Sequence, residues 1–163
     1  MLHVRDTQTE LFFDLIRDGE KRAKTFLPES LESYMVFMLQ RHLKNATITT
    51  TVFAIEYLEN LTKNLHERQS CLSETADAGL ILAGLFPERS RRLNVSYTYF
   101  TDMSQLCFFD LAQVCHRLEH EGEAMLYKEL GENVQKLAGV LYASRGSDET
   151  KNLLDFQKIS TLH

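Results

Sequence analysis

The chain has 163 residues, 44% of them hydrophobic and 25% charged, and a net charge of −5 at neutral pH. A chain of this length can bury one core without disulfides or metal, and the composition is that of a folded rather than a disordered protein. The acidic balance, with an isoelectric point near 5.7, argues against duplex nucleic acid as a partner, because phosphate contacts need a basic surface.

The N-terminal stretch "MLHVRDTQTELFFDL" has no basic region ahead of a long apolar run, so no secretory signal is expected. Cys71, Cys107 and Cys115 form no C-x-x-C pair, and their odd count fits a reducing compartment and buried thiols better than a disulfide framework. A cytoplasmic protein is the expectation. Asn45, Asn60 and Asn94 each open an N-x-[ST] triplet, which carries no weight without secretion.

In chain order, Thr7 and Glu10 make a capping box ahead of Leu11, Phe12, Leu15 and Ile16, which share one helix face. Gly19 is expected to weaken or end this first helix. Pro28 suits the first turn of a second helix, striped by Leu31, Tyr34, Met35, Met38 and His42. "TITTTV" (47–52) is β-branched and suits extended chain as well. After it, Ala54, Leu58, Leu61 and Leu65 give a helical stripe, with Glu59 and Lys63 as an i,i+4 pair.

A fourth helix is predicted over about 69–86, ended by Pro87. A connection at 93–96 leads to Ser96 or Thr98 as the next cap. The fifth helix then carries Phe100, Met103, Cys107, Leu111, Val114 and Leu118, and a sixth carries Leu126, Leu130, Val134, Leu137 and Leu141. "SRGSD" breaks the sixth near Gly146, and Asp148 is the expected cap of a short last helix with Leu153, Phe156 and Ile159 partly inside. The predicted fold is an all-α, single-domain helical bundle of about six or seven helices with no sheet.

The stretch "ADAGLILAGLFPERSRR" (76–92) is the most distinctive. Its apolar run, 78–86, is about half of the roughly 20 residues needed to cross a bilayer, so no membrane span is expected. At roughly 100° per residue, Leu72, Ala76, Gly79, Ala83 and Phe86 share one face, while Ile81 and Leu85 point the other way. A helix apolar all round is buried on all sides, and Gly79 and Gly84 suit close approach of a neighbour. The helix is read first as the centre of the core and second as a subunit interface. Asp77 is read as an exposed residue at its polar edge. Arg89, Arg91 and Arg92 complement the negative end of the helix dipole. With Tyr99, and Tyr97 near it, they are also the candidate anion- or partner-binding patch, since arginine offers a fork matched to carboxylate and phosphate.

"FLPESLESYMVFML" and "ADAGLILAGLFPERSRRLNVSYTYF" resemble an uncharacterised all-α family of bacterial proteins with a small-residue helix, a G-x-F-P-E exit and a Tyr-containing helix start. The resemblance rests on 27–39 and 76–100, under a third of the chain. It implies a bacterial, intracellular protein and brings no activity or catalytic residue with it.

For metal chemistry the best constellation is "CHRLEHEGE", where His116, Glu119, His120 and Glu123 recur at i, i+3, i+4 and i+7. That spacing puts all four on one side of a helix, where two histidines at i,i+4 can share a divalent metal. The H-E-x-x-H order is absent, since Arg117 stands where a general base belongs, and Gly122 offers a helix stop inside the set. His116 and His120 fall opposite the apolar stripe and should face solvent. Glu56, Glu59 and Asp110 are acids for a helical di-metal site, but the Glu-x-x-His pattern on two helices is missing, with His66 and Glu67 at the wrong spacing.

There is no G-x-S-x-G elbow, Cys107 lies on the core stripe, and Cys115 does not face its neighbour His116. No phosphate-binding loop or dinucleotide fingerprint occurs. The leading expectation is a non-catalytic helical protein that binds another protein or a second copy of itself as a homodimer. Two alternatives stand beside it: a metal-dependent helical enzyme using His116 and His120, and an anion- or nucleotide-binding module at Arg89, Arg91 and Arg92.

Overall fold

The computed structural model describes residues 7–43, 64–96 and 98–146. The protein is an all-α helical bundle: the described residues form seven helices and no strand. They are α1 (Thr7–Ala23), α2 (Glu29–Leu43), α3 (Leu65–Leu85), α4 (Arg89–Arg92), α5 (Tyr99–Arg117), α6 (Glu121–Glu132) and α7 (Val134–Ser144). None of the described helices is long and apolar enough to cross a membrane. The chain divides into two compact units, one of Met1–Ile48 with Gly139–His163 and one of Thr49–Ala138. The predicted third-helix residues Ala54, Leu58, Leu61, Glu56, Glu59 and Lys63 lie outside the described residues. So do Asp148, Leu153, Phe156 and Ile159.

In the first unit, α1 and α2 pack against each other. Phe12, Leu15 and Ile16 of α1 are buried, as are Leu31, Met35, Val36, Met38 and Leu39 of α2. Tyr34 and His42 sit half-buried at the edge of that stripe. Gly19 does not end α1, contrary to the expectation from its low helix propensity. The helix continues to Ala23, and Gly19 is the point at which the end of α7 comes close. A Cβ there would run into the Val140 carbonyl oxygen and lie 3.1 Å from the Ser144 Cβ.

The stop comes instead at Lys24, whose φ is 53°. Its N–H donates to the Lys21 carbonyl at 3.3 Å, and the Thr25 N–H donates to the Glu20 carbonyl at 3.0 Å. This is the paired Schellman arrangement, with lysine in the left-handed position that glycine usually takes. Pro28 stands just ahead of α2, where its carbonyl accepts the N–H groups of Leu31 and Glu32, both at 3.0 Å. It therefore caps the helix rather than forming its first residue.

In the second unit, α3 begins where Asn64 caps it, the side-chain Oδ1 accepting the Glu67 N–H at 3.0 Å. Leu65, His66 and Glu67 thus open this long helix and do not close a preceding one. α3 ends at Leu85, with Phe86 leaving helical geometry directly before Pro87, as proline requires of its predecessor. Leu72, Ala76, Leu80, Ile81, Leu82 and Leu85 are all at most 2% exposed. The helix is buried on opposite sides, as its all-round apolar surface predicts. α5 crosses α3 at Gly79, where a Cβ would meet the Phe100 carbonyl oxygen at 3.0 Å and the Ser104 Cβ at 3.2 Å. The Ser104 hydroxyl donates to the Ala76 carbonyl at 2.8 Å beside this crossing.

The predicted sixth helix is two helices, α6 and α7. Asn133 separates them, at φ −115° and ψ 11°. Its side-chain amide donates to the Glu129 carbonyl at 2.7 Å, and its own carbonyl accepts the Leu137 N–H at 2.9 Å. One residue therefore closes α6 and opens α7, which is within the local hydrogen-bonding repertoire of asparagine.

Candidate functional site

The four residues of the metal-like constellation do not share one helix. α5 stops at Arg117, and Glu119 takes φ 62°. The Glu119 N–H donates to the His116 carbonyl at 3.0 Å and the His120 N–H to the Cys115 carbonyl at 2.8 Å, a second Schellman-type stop. His116 is thus in the last turn of α5, Glu119 in the turn, His120 at the cap of α6 and Glu123 in its first turn. Helical i,i+4 neighbourhood holds only within an uninterrupted helix, and this corrects the one-face placement. His116 Nδ1 faces Glu121 Oε1 at 2.8 Å, and His120 Nδ1 lies 3.7 Å from Glu123 Oε2. Among the described residues, no three His, Cys, Asp or Glu side chains gather closely enough to hold a metal ion. Because Glu119 is not glycine, Glu119→Gly should raise stability by about 1 kcal/mol by removing Cβ strain. A chemical-denaturation midpoint that stays put or falls contradicts this account of the turn.

The three arginines differ in their surroundings. Arg89 is only 8% exposed, and its guanidinium carbon lies 4.3 Å from the centre of the Phe86 ring. Burial lowers its pKa, with Glu88 pulling the other way. Arg91 and Arg92 are exposed, so the stretch does not present three equivalent cations to one ligand. Tyr99 is half-buried, with its ring edge-on to Phe100 at 5.7 Å.

Inside the second unit, α3, α5 and α6 share a set of polar side chains that helical periodicity did not bring together. Asp77 is 1% exposed, which corrects its reading as a solvated edge residue. Tyr127 of α6 has its pKa raised first by burial and then by the charges of Asp77 and Cys115, while a hydrogen bond with Ser73 acts against them. Its ring stacks on Phe108 at 6.3 Å. Nearer the surface, the Gln69 amide donates to Glu123 Oε2 at 3.2 Å and to Cys115 Sγ at 3.7 Å. Cys115 Sγ is also 3.9 Å from Glu123 Oε2. Burial, then Glu123, pushes the Cys115 thiol up to about 11, so it stays protonated at neutral pH and is a poor nucleophile. The set ties three helices together through satisfied polar groups, an arrangement that fixes register.

On the outer side of the α5–α6 pair lies an open groove of about 480 Å³. Ala112, Ala124 and Met125 supply its apolar surface, and His116, Arg117, Glu121 and Lys128 stand around them. Met125 is 73% exposed. The His116–Glu121 contact engages the acid, whereas neither Arg117 nor Lys128 forms an ion pair with any described residue. The sequence contained a signal for this surface: Met125 is a large apolar residue lying off the predicted Leu126–Leu130 stripe. No family model, no curated protein and no solved structure matches the chain, so the functional reading rests on this geometry.

Proposed function

We propose that the protein is a non-catalytic helical module that binds another protein, and that the α5–α6 groove receives a helix of that partner. The observation that carries this reading is the exposed Met125 in an apolar groove flanked by Arg117 and Lys128, two cations without an acidic partner among the described residues. An apolar groove is the usual receptor for the apolar face of an amphipathic helix, and unpaired rim charge selects its complement. The occupant is therefore a helix whose apolar face is bordered by carboxylates. None of Cys71, Cys107 and Cys115 forms a disulfide, which supports a reducing compartment, the cytoplasm, as the place of action.

Two synthetic helical peptides test this reading. They have the same apolar face and are bordered either by glutamates or by lysines, and their binding is followed by fluorescence anisotropy. The acidic peptide should bind about 10-fold more tightly, since two rim pairs at about 0.7 kcal/mol each amount to one decade. The R117E/K128E protein should prefer the basic peptide. Absence of binding by both peptides, or a preference untouched by the charge swap, overturns the proposal. Sedimentation equilibrium covers the other occupant: a dimer abolished by Met125→Asp would give the groove to a second copy and overturn the partner-helix reading.

A further inference from the structure

The connection between α1 and α2 is organised around one buried acid. Glu20 is 4% exposed. Its main-chain carbonyl accepts the Thr25 N–H at 3.0 Å, the outer bond of the turn that ends α1. Its side-chain Oε2 accepts the Leu27 N–H at 3.3 Å. One residue thus holds the loop by backbone and side chain together. Its other oxygen, Oε1, is buried with no donor facing it, and the neighbour its carboxyl group meets is a second carboxyl group, that of Glu32 on α2. Glu32 in turn has its Oε1 3.7 Å from Arg17 Nε.

Two carboxylates cannot hydrogen-bond to each other, because each only accepts. With one proton between them, every partner is accounted for. Arg17 faces an ionised Glu32, a protonated Glu20 donates to Glu32, and the remaining Glu20 oxygen takes the Leu27 amide. We propose that a proton shared by Glu20 and Glu32 latches the α1–α2 connection, and that its loss to solvent loosens the segment carrying Phe26. Phe26 lies between the two residues whose amides Glu20 holds and is 77% exposed, so the latch governs how a large apolar side chain is presented.

The charged groups acting on Glu20 are Glu32 from α2 and Arg17 from its own helix. The loop presents the Leu27 amide, and the end of α7 packed on neighbouring Gly19 presents Val140 and Ser144, neither of which titrates in this range. Burial first, then the hydrogen bond with Glu32, raises the Glu20 pKa from 4.5 to about 7. The acid is therefore favoured in its protonated form by folding. Its stabilising contribution is complete below about 4.5 and is lost as pH rises through about 7.

The chain contains no tryptophan, so Phe26→Trp places a single indole, excited selectively over the tyrosines, on the loop at a site exposed enough to accept it. The indole of this variant should become more accessible to acrylamide with a midpoint near pH 7, and Glu20→Gln in the same background should lose that transition. A flat quenching profile between pH 5 and 9 in the F26W protein overturns the latch, as does an unchanged midpoint in the double variant. If Glu20→Gln does not fold, carboxyl carbon NMR of the unaltered protein decides: a glutamate titrating near pH 7 supports the proposal, and its absence overturns it.

Discussion

Gly19→Ala should destabilise the protein by about 2 kcal/mol, although alanine is the better helix former. Overpacking a closed site costs about 1–3 kcal/mol, occasionally more, and exceeds the roughly 1 kcal/mol that the propensity change returns. The new methyl would be driven into the Val140 carbonyl oxygen, with Val140 Cγ1 and Ser144 Cβ both 3.1 Å away. The main obstacle is a main-chain atom of a helix, which cannot turn aside as the tip of a side chain can. Gly122 and Gly139 supply the controls, because a Cβ at either meets nothing within 4 Å. Alanine at those two positions should stabilise by about 1 kcal/mol or less, from propensity alone. Urea midpoints of the three variants measure both signs together. A Gly19→Ala protein as stable as its parent would mean that α1 and the end of α7 are not packed as closely as described.

The same glycine shows what the sequence could and could not convey. Helical periodicity located the long elements well: the Leu31–Met35–Met38 stripe, the stop at Pro87 and the all-round apolar α3 are where the pattern put them. Periodicity reports which residues avoid water, and that is settled locally. Gly19 reads locally as a helix stop and is not one, because its role is set by Val140 and Ser144, more than a hundred positions away. Helix ends at Lys24 and Glu119 are hidden for another reason. Both take left-handed φ values, 53° and 62°, that are usually signalled by glycine, and neither is glycine. Missing the stop at Glu119 made His116, Glu119, His120 and Glu123 look like one helix face. At the other end of the scale, Asn64 with Glu67 three positions later is an ordinary capping signal, legible in the sequence. Asp77 looked like an edge residue because a carboxylate is rarely buried. Its neighbour Tyr127 comes from α6, a helix that folding brings to α3. Of the candidate site, the off-stripe Met125 was readable in the sequence. The pairing of His116 with Glu121, which leaves Arg117 and Lys128 as the free rim charge among the described residues, needed the turn between α5 and α6.

Ile81→Ala should cost about 2–5 kcal/mol, the range for deleting a fully buried aliphatic side chain and leaving a cavity. Ile81 is 0% exposed and Leu85, on the same side of α3, is 2% exposed, within a single copy of the chain. That distinguishes the two readings of the 76–92 stretch. If α3 is a core helix, the loss is a property of the monomer, and the thermal midpoint of the variant does not depend on protein concentration. If its far face were an interface between copies, part of that burial would come from the partner, and the midpoint would rise with concentration by mass action. Met125→Ala is the contrast. At an exposed position it should change stability by about 0.5 kcal/mol or less, while weakening capture of the acidic peptide. A protein in which Ile81 controls stability but not binding, and Met125 controls binding but not stability, has its most apolar segment committed to its own core. Its contact with other proteins is then left to the groove on the outside of α5 and α6.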